Sequence, residues 1–280
     1  MPHLPIELAA WLRSNGANSR RGPLSMFVPL HDANRLKHIR LQYVTLAIIA
    51  ANVLIFLGVN LAATEAGLFA TVTSLGYTPA VVNDFAELPP ELVWIPEEMS
   101  LVSYSFLHGD FWHLGGNMLF LWVFGDNVED AMGHFRFLIF YLLCAIAGAL
   151  AHGLMDPASA APLIGASGAV AGIVGAYLLL HPRVRVWVLV LGRIPLPLPA
   201  WIPLGLWIGF QFAMIALMAD DQVSWAAHIG GIVAGMALVL VLRRRGVPLF
   251  DREIRTPQAV EVDVSRPPAP THGPWGRGGS

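Results

Sequence analysis

Ser167, in Gly165-Ala166-Ser167-Gly168, and His228, in Ala227-His228-Ile229-Gly230-Gly231, stand in apolar stretches long enough, or nearly long enough, to cross a bilayer. A polar or ionisable side chain at that depth is costly, so its default meaning is functional. A hydroxyl and an imidazole on neighbouring helices are the two halves of base-assisted nucleophilic attack, and near neutral pH a neutral imidazole is the natural acceptor for a serine proton. Glycines favour such a meeting. Gly165, Gly168, Gly172 and Gly175 give one segment a close-packing face, and Gly231 and Gly235 follow His228 at i+3 and i+7 on one helical face. The plainer alternatives are that Ser167 only eases helix contact, and that His228 bonds a carbonyl or reaches to the interface. The surrounding residues are not the Gly-x-Ser-x-Gly elbow of soluble hydrolases, because the fifth position is Ala169.

A third polar group lies in His108-Gly-Asp-Phe-Trp-His113-Leu-Gly-Gly-Asn117. His113 and Asn117 are four apart and share a helical face. They are either a local pair that anchors an outer loop or donors to a developing oxyanion, which neutral donors can stabilise where dielectric is low. No carboxylate within a span stands ready to orient His228, so the expectation is a dyad. Glu129, between Gly125 and Gly133, is expected to cap a helix end with Arg136 nearby. His134, His152 and His181 fall at span ends. No His, Cys, Asp or Glu set has metal-ligand spacing and no glycine loop suits a phosphate, so neither metal nor cofactor is expected.

The chain that positions these groups has 280 residues, 55% of them hydrophobic and 13% charged. A soluble domain carries about 25% charged residues, so this composition indicates a polytopic membrane protein. Six apolar segments are expected to span: Leu41 to Leu61, Trp112 to Phe124, Phe135 to Leu154, Ser167 to Leu180, Trp201 to Ala219, and Ser224 to Leu242. They define a 41–242 membrane domain between an N-terminal segment, 1–40, and a Pro-, Arg- and Gly-rich tail, 243–280, expected to be disordered. Arg35, Lys37 and Arg40 precede the first segment, Arg183, Arg185 and Arg193 lie between the fourth and fifth, and Arg243, Arg244 and Arg245 follow the sixth; the connections Ala62 to Phe111, Met155 to Ala166 and Asp220 to Val223 contain acids such as Glu97, Glu98, Asp220 and Asp221 and no cation. Both termini are therefore expected in the cytoplasm. The single Cys144 permits no internal disulfide, and no cleavable signal is evident.

The fourth segment, from Ser167 to Leu180, rises only ~21 Å as a helix against a hydrocarbon core of ~30 Å. His181-Pro182-Arg183 fixes its inner end, so the shortfall falls on the outer side, where Met155 to Ala166 must dip inward as irregular backbone. Such backbone is tolerated at depth only around a protein-lined or wet cavity. Ser167 is expected at its floor. Broken helices also mark transporters, but internal repeats and charged residues within the spans are missing.

His113-xxx-Asn117, then Gly165-x-Ser167-Gly168, then Ala227-His228-xx-Gly231, in that order on the second, fourth and sixth segments, resembles the rhomboid family of intramembrane serine proteases. The resemblance covers about Leu41 to Leu242. It implies an all-α, six-transmembrane-helix bundle with a short fourth helix and a membrane-associated first outer loop. It implies Ser167 as nucleophile, His228 as general base, and an oxyanion hole of His113, Asn117 and the Ser167 amide, with Gly165, Gly168, Gly231 and Gly235 supporting helix packing. It implies transmembrane protein substrates in a lipid bilayer, no nucleic acid and no cofactor, and leaves open a non-cutting relative that binds membrane helices. Two positions depart from the pattern. Met99 and Ser100 stand where rhomboids often carry Trp-Arg. Ala171 stands where some bacterial members place an aromatic residue against the histidine, so His228 is expected to be held by Tyr177 or a residue of the second helix. A bacterial inner membrane is the expected location.

Overall fold

The computed structural model describes residues 27–62, 64–190, 192–217 and 223–251. The expectations for residues 1–26, for the loop acids Asp220 and Asp221, and for the tail after Asp251 lie outside the described residues. Each apolar segment forms a helix: α1 (Tyr43–Ala62), α3 (Phe111–Met132), α4 (His134–Met155), α5 (Ser167–Leu180), α6 (Trp201–Ala216) and α7 (Trp225–Leu242), with α2 (Glu65–Leu75) added in the connection between α1 and α3. Residues 43–60, 134–155 and 225–242 are long and apolar enough to cross a membrane, and α5 and α6 are shorter apolar helices.

Helix α3 runs past the apolar segment at both ends. Asp110 caps it, its carboxylate accepting from the Trp112 and His113 amides at 2.7 and 2.9 Å. At the other end the acids that break the apolar pattern find partners inside the protein. Glu129, expected to cap a helix end, is fully buried. It accepts from the Val44 and Thr45 amides at 3.0 and 2.8 Å, from the Thr45 hydroxyl at 2.6 Å, and contacts His134 Nδ1 at 2.5 Å. A carboxylate thus sits at the start of α1, where amides lack intrahelical acceptors and the helix dipole favours negative charge. Asp130 accepts from the Lys37, His38 and Ile39 amides just before α1.

The all-α expectation needs correction. β1 (Phe27–Asp32), β2 (Arg185–Val190) and β3 (Ile194–Pro199) form an antiparallel sheet in the order β1-β2-β3. Alternation in Arg-Val-Trp-Val-Leu-Val puts Val186 and Val188 on one face, and both are buried in the core. Pro195, Pro197 and Pro199 occupy alternate positions of β3, so all three missing N–H groups lie on the open edge. That edge cannot accept another strand in full register.

Helix α5 is the centre of the fold. It packs against α7, α4 and α3, and Ile173, Val174, Tyr177 and Leu180 are completely covered. The tail expected to be disordered from Arg243 is folded back as far as Asp251: the Phe250 and Asp251 amides donate to the carbonyls of Leu179 and Leu180 at 2.7 and 3.0 Å, satisfying the last turn of α5.

Candidate active site

The sequence of α5 begins with Ser167 because the preceding segment, 156–166, is held away from helical geometry. Its backbone is tied to the connection between α1 and α3: Tyr77 and Leu163 exchange amide bonds, and the Gly165 amide donates to the Tyr104 carbonyl at 2.9 Å. Gly165 has φ of +121°, and a Cβ there would lie 2.6 Å from the His113 ring, so both conformation and space require glycine. This crossing brings His113 of α3 against the residues immediately before Ser167.

Helices α5 and α7 meet backbone to backbone. A Cβ added to Gly231 would fall 1.9 Å from the Gly168 carbonyl oxygen, and one on Gly235 would fall 2.0 Å from that of Gly172. Gly168 also borders Gly148 of α4 and the Ala227 carbonyl. Ser167 therefore sits beside a contact that spans Ala227 to Gly231, the turn that holds His228. Ser167 is half-buried and His228 is 8% exposed. The structure brings the two to the same level of adjoining helices, with no hydrogen bond between them.

Asn117 is 8% exposed, and its amide contacts His108 Nε2 at 3.1 Å. The Ala166 amide also points at His108 Nε2, at 3.5 Å. The His108 and His113 rings meet edge-on with centroids 5.1 Å apart. His113 and Asn117 thus lie beside the start of α5, but they are not bonded to each other; His108 is Asn117's partner. Among the described residues, no group of three or more His, Cys, Asp or Glu is placed to hold a metal ion.

Residues 96–245, more than half of the chain, match the rhomboid domain. The chain belongs to the rhomboid family. It is similar to Rhomboid protein 1, mitochondrial, of Saccharomyces cerevisiae, with 34% identity over 148 residues, or 51% of this chain and 41% of that protein. It is 35% identical to Rhomboid protease GluP of Bacillus subtilis over 129 residues, 46% of this chain and 23% of that protein. It is 30% identical to Rhomboid-related protein 2 of Mus musculus over 166 residues, 56% of this chain and 54% of that protein. The matched stretch covers less than two thirds of each relative. Mitochondrial and bacterial proteins both appear among them, so they support an integral membrane rhomboid without favouring a bacterial inner membrane.

Within this rhomboid, His228 is held by residues the sequence did not suggest. Tyr177 is not its support: the Tyr177 hydroxyl donates to Asp32 at 2.7 Å. The imidazole instead lies beside two indoles, Trp207 at 5.9 Å in a stacked arrangement and Trp225 at 6.0 Å edge-on. Its Nδ1 meets Gln211 Oε1 at 2.7 Å. Gln211 was detectable as a lone amide in the apolar run Trp-Ile-Gly-Phe-Gln-Phe. His108 stands in the same motif as His113 and Asn117, but its role as the partner of Asn117 depends on the turn preceding α3.

Proposed function

We propose that this rhomboid is an intramembrane serine endopeptidase that hydrolyses peptide bonds of transmembrane substrates with Ser167 and His228. The observation that carries the reading is the Gly168–Gly231 backbone contact, which sets the first residue of α5 beside the turn bearing the imidazole. The chain crosses the bilayer six times with both termini in the cytoplasm, and the first outer connection rests on lipid. Exposed Phe85, Trp94, Phe111 and Trp112 in and after that connection support such contact.

In the proposed reaction, a substrate segment unwinds over Ser167 and presents its scissile carbonyl. His228 takes the hydroxyl proton as the Ser167 Oγ–carbon bond forms, and the tetrahedral oxyanion is met by His113, Asn117 and the Ser167 amide. For Asn117 to donate there, its amide turns from His108. The peptide C–N bond then breaks, and the imidazolium returns its proton to the leaving amine. Water, activated by the same base, releases the acyl group and restores Ser167. The gap between Ser167 and His228 closes in this sequence, as catalytic hydrogen bonds commonly tighten only in the substrate complex.

The second reading is a non-proteolytic rhomboid that binds and escorts membrane helices; the unbonded Ser167 and the Asn117–His108 contact favour it. One experiment separates them. Purified wild type and Ser167→Ala are incubated with a single-span substrate and, separately, with a fluorophosphonate probe. The protease cleaves and is labelled only as wild type, with equal thermal stability of both forms. Cleavage retained by Ser167→Ala excludes Ser167 as nucleophile, and an unlabelled, inactive wild type supports the escort.

A further inference from the structure

Gln211 lies on α6 and is 1% exposed. Its two amide atoms are told apart by their partners. Nε2 faces the Trp207 carbonyl at 3.1 Å, so it must be the donor end, and this sets Oε1 against His228 Nδ1 at 2.7 Å. Turning the amide over would place its oxygen against the Trp207 carbonyl, two acceptors with no proton between them. A carbonyl oxygen can only accept, so the bond to His228 exists only if Nδ1 carries the hydrogen. In a neutral imidazole the other nitrogen, Nε2, is then the unprotonated acceptor. Trp207 and Trp225 flank the ring on two sides and restrict its turning about the Cβ–Cγ bond, while the bond from Nδ1 to Gln211 selects one of its two flips.

We infer that Gln211 is a positioning residue for the base: it holds His228 as the Nδ1–H tautomer, keeps the Nε2 lone pair available for the Ser167 proton, and accepts from the imidazolium once that proton has moved. This rests on the proteolytic reading above. In soluble serine hydrolases a buried carboxylate does the orienting. A neutral amide supplies the same directional acceptor without placing an isolated charge inside an apolar bundle, where desolvation is severe. The dyad expected from sequence thus becomes a Ser–His pair with an uncharged third member contributed by α6.

The test compares wild type, Gln211→Met and Gln211→Glu, each in lipid, by kcat, KM and the pH profile of kcat/KM, with thermal unfolding as the measure of folding. Methionine keeps the bulk and removes the acceptor; kcat is expected to fall about 10²-fold, the scale of a misplaced general base, with KM unchanged. Glutamate keeps an acceptor. It is expected to be more active than the methionine variant, with the acid limb of the profile moved to higher pH because a carboxylate on Nδ1–H favours the imidazolium. A packing role predicts the reverse order, since methionine preserves the core and glutamate buries a charge. Methionine activity equal to wild type with an unmoved profile, or glutamate no better than methionine, overturns the inference. Nitrogen NMR of histidine-labelled protein reads the tautomer without catalysis: Nδ1–H for His228 in wild type and its loss in Gln211→Met are expected. If that tautomer is found in a wild type that cleaves nothing, the proteolytic reading fails while the orientation stands. If wild type shows Nε2–H, the positioning role fails by itself.

Discussion

Replacing Gly231 by alanine tests the helix contact on which the proposed chemistry depends. The added Cβ would sit 1.9 Å from the Gly168 carbonyl oxygen, where ordinary contact begins at 3.4 Å. Both partners are helical backbone, so no side chain can swing aside, and α5 and α7 must part by about 1.5 Å at this level, the difference between those distances, with an overpacking cost of ~1–3 kcal/mol. Gly168 is covalently next to Ser167, and His228 lies one turn before Gly231, so the displacement falls directly on the Ser167–His228 separation. A misplacement of about 1 Å can lower a rate ~10²-fold, and at least that loss in kcat/KM is expected, together with a lower unfolding temperature. Gly209→Ala is the control: nothing lies within 4 Å of its added Cβ, so activity and stability should match wild type. The assay is cleavage of a single-span substrate in proteoliposomes, read beside thermal unfolding of the same preparations. Wild-type turnover in Gly231→Ala would show that the glycine contact does not set the site geometry, and the reasoning from that contact to function would fail.

Asn117→Ala should lower kcat about 10²-fold with little change in KM if its amide reaches the oxyanion, and an unchanged kcat would leave it the structural partner of His108 alone. Glu129→Ala should destabilise the fold by several kcal/mol, because two amides and a hydroxyl at the start of α1 lose their acceptor at about 1–3 kcal/mol each; a thermal midpoint within error of wild type would contradict the cap. Burial, with the nearby Asp126 charge, pushes the Asp32 carboxyl on β1 up to about 8 despite hydrogen bonds that favour ionisation. The folded protein then binds this proton more tightly than the unfolded chain, so the stabilisation is complete below the ordinary aspartate range and is lost as pH rises through about 8. Thermal stability of wild type should therefore decline across that window, and Asp32→Asn should flatten the decline; parallel curves would dismiss Asp32 as its source.

The helices were legible because a membrane segment must satisfy its backbone within itself and present apolar side chains throughout, a requirement written locally in sequence. The start of α5 at Ser167 was legible for the same reason, as was the need for irregular backbone before it. The sheet was not. Its first strand lies before α1 and its partners lie after α5, and three prolines in β3 argue against a strand until that strand is known to be an edge. Glu129 is legible as a helix-end cap, but the amides it caps, at the start of α1, lie 85 and 84 residues earlier in the chain.

Residue order by itself determined the apolar segments, the glycine faces able to pack closely, and the few polar groups costly enough at depth to demand a role. Tertiary structure alone decided which atoms meet: Glu129 with the first amides of α1, Asn117 with His108, and Gln211 with the Nδ1 of His228. The division has a physical cause. Exclusion from water is a property of each segment, whereas a hydrogen bond needs two directed groups within about 3 Å, and that coincidence is created only when helices distant in the chain are packed together.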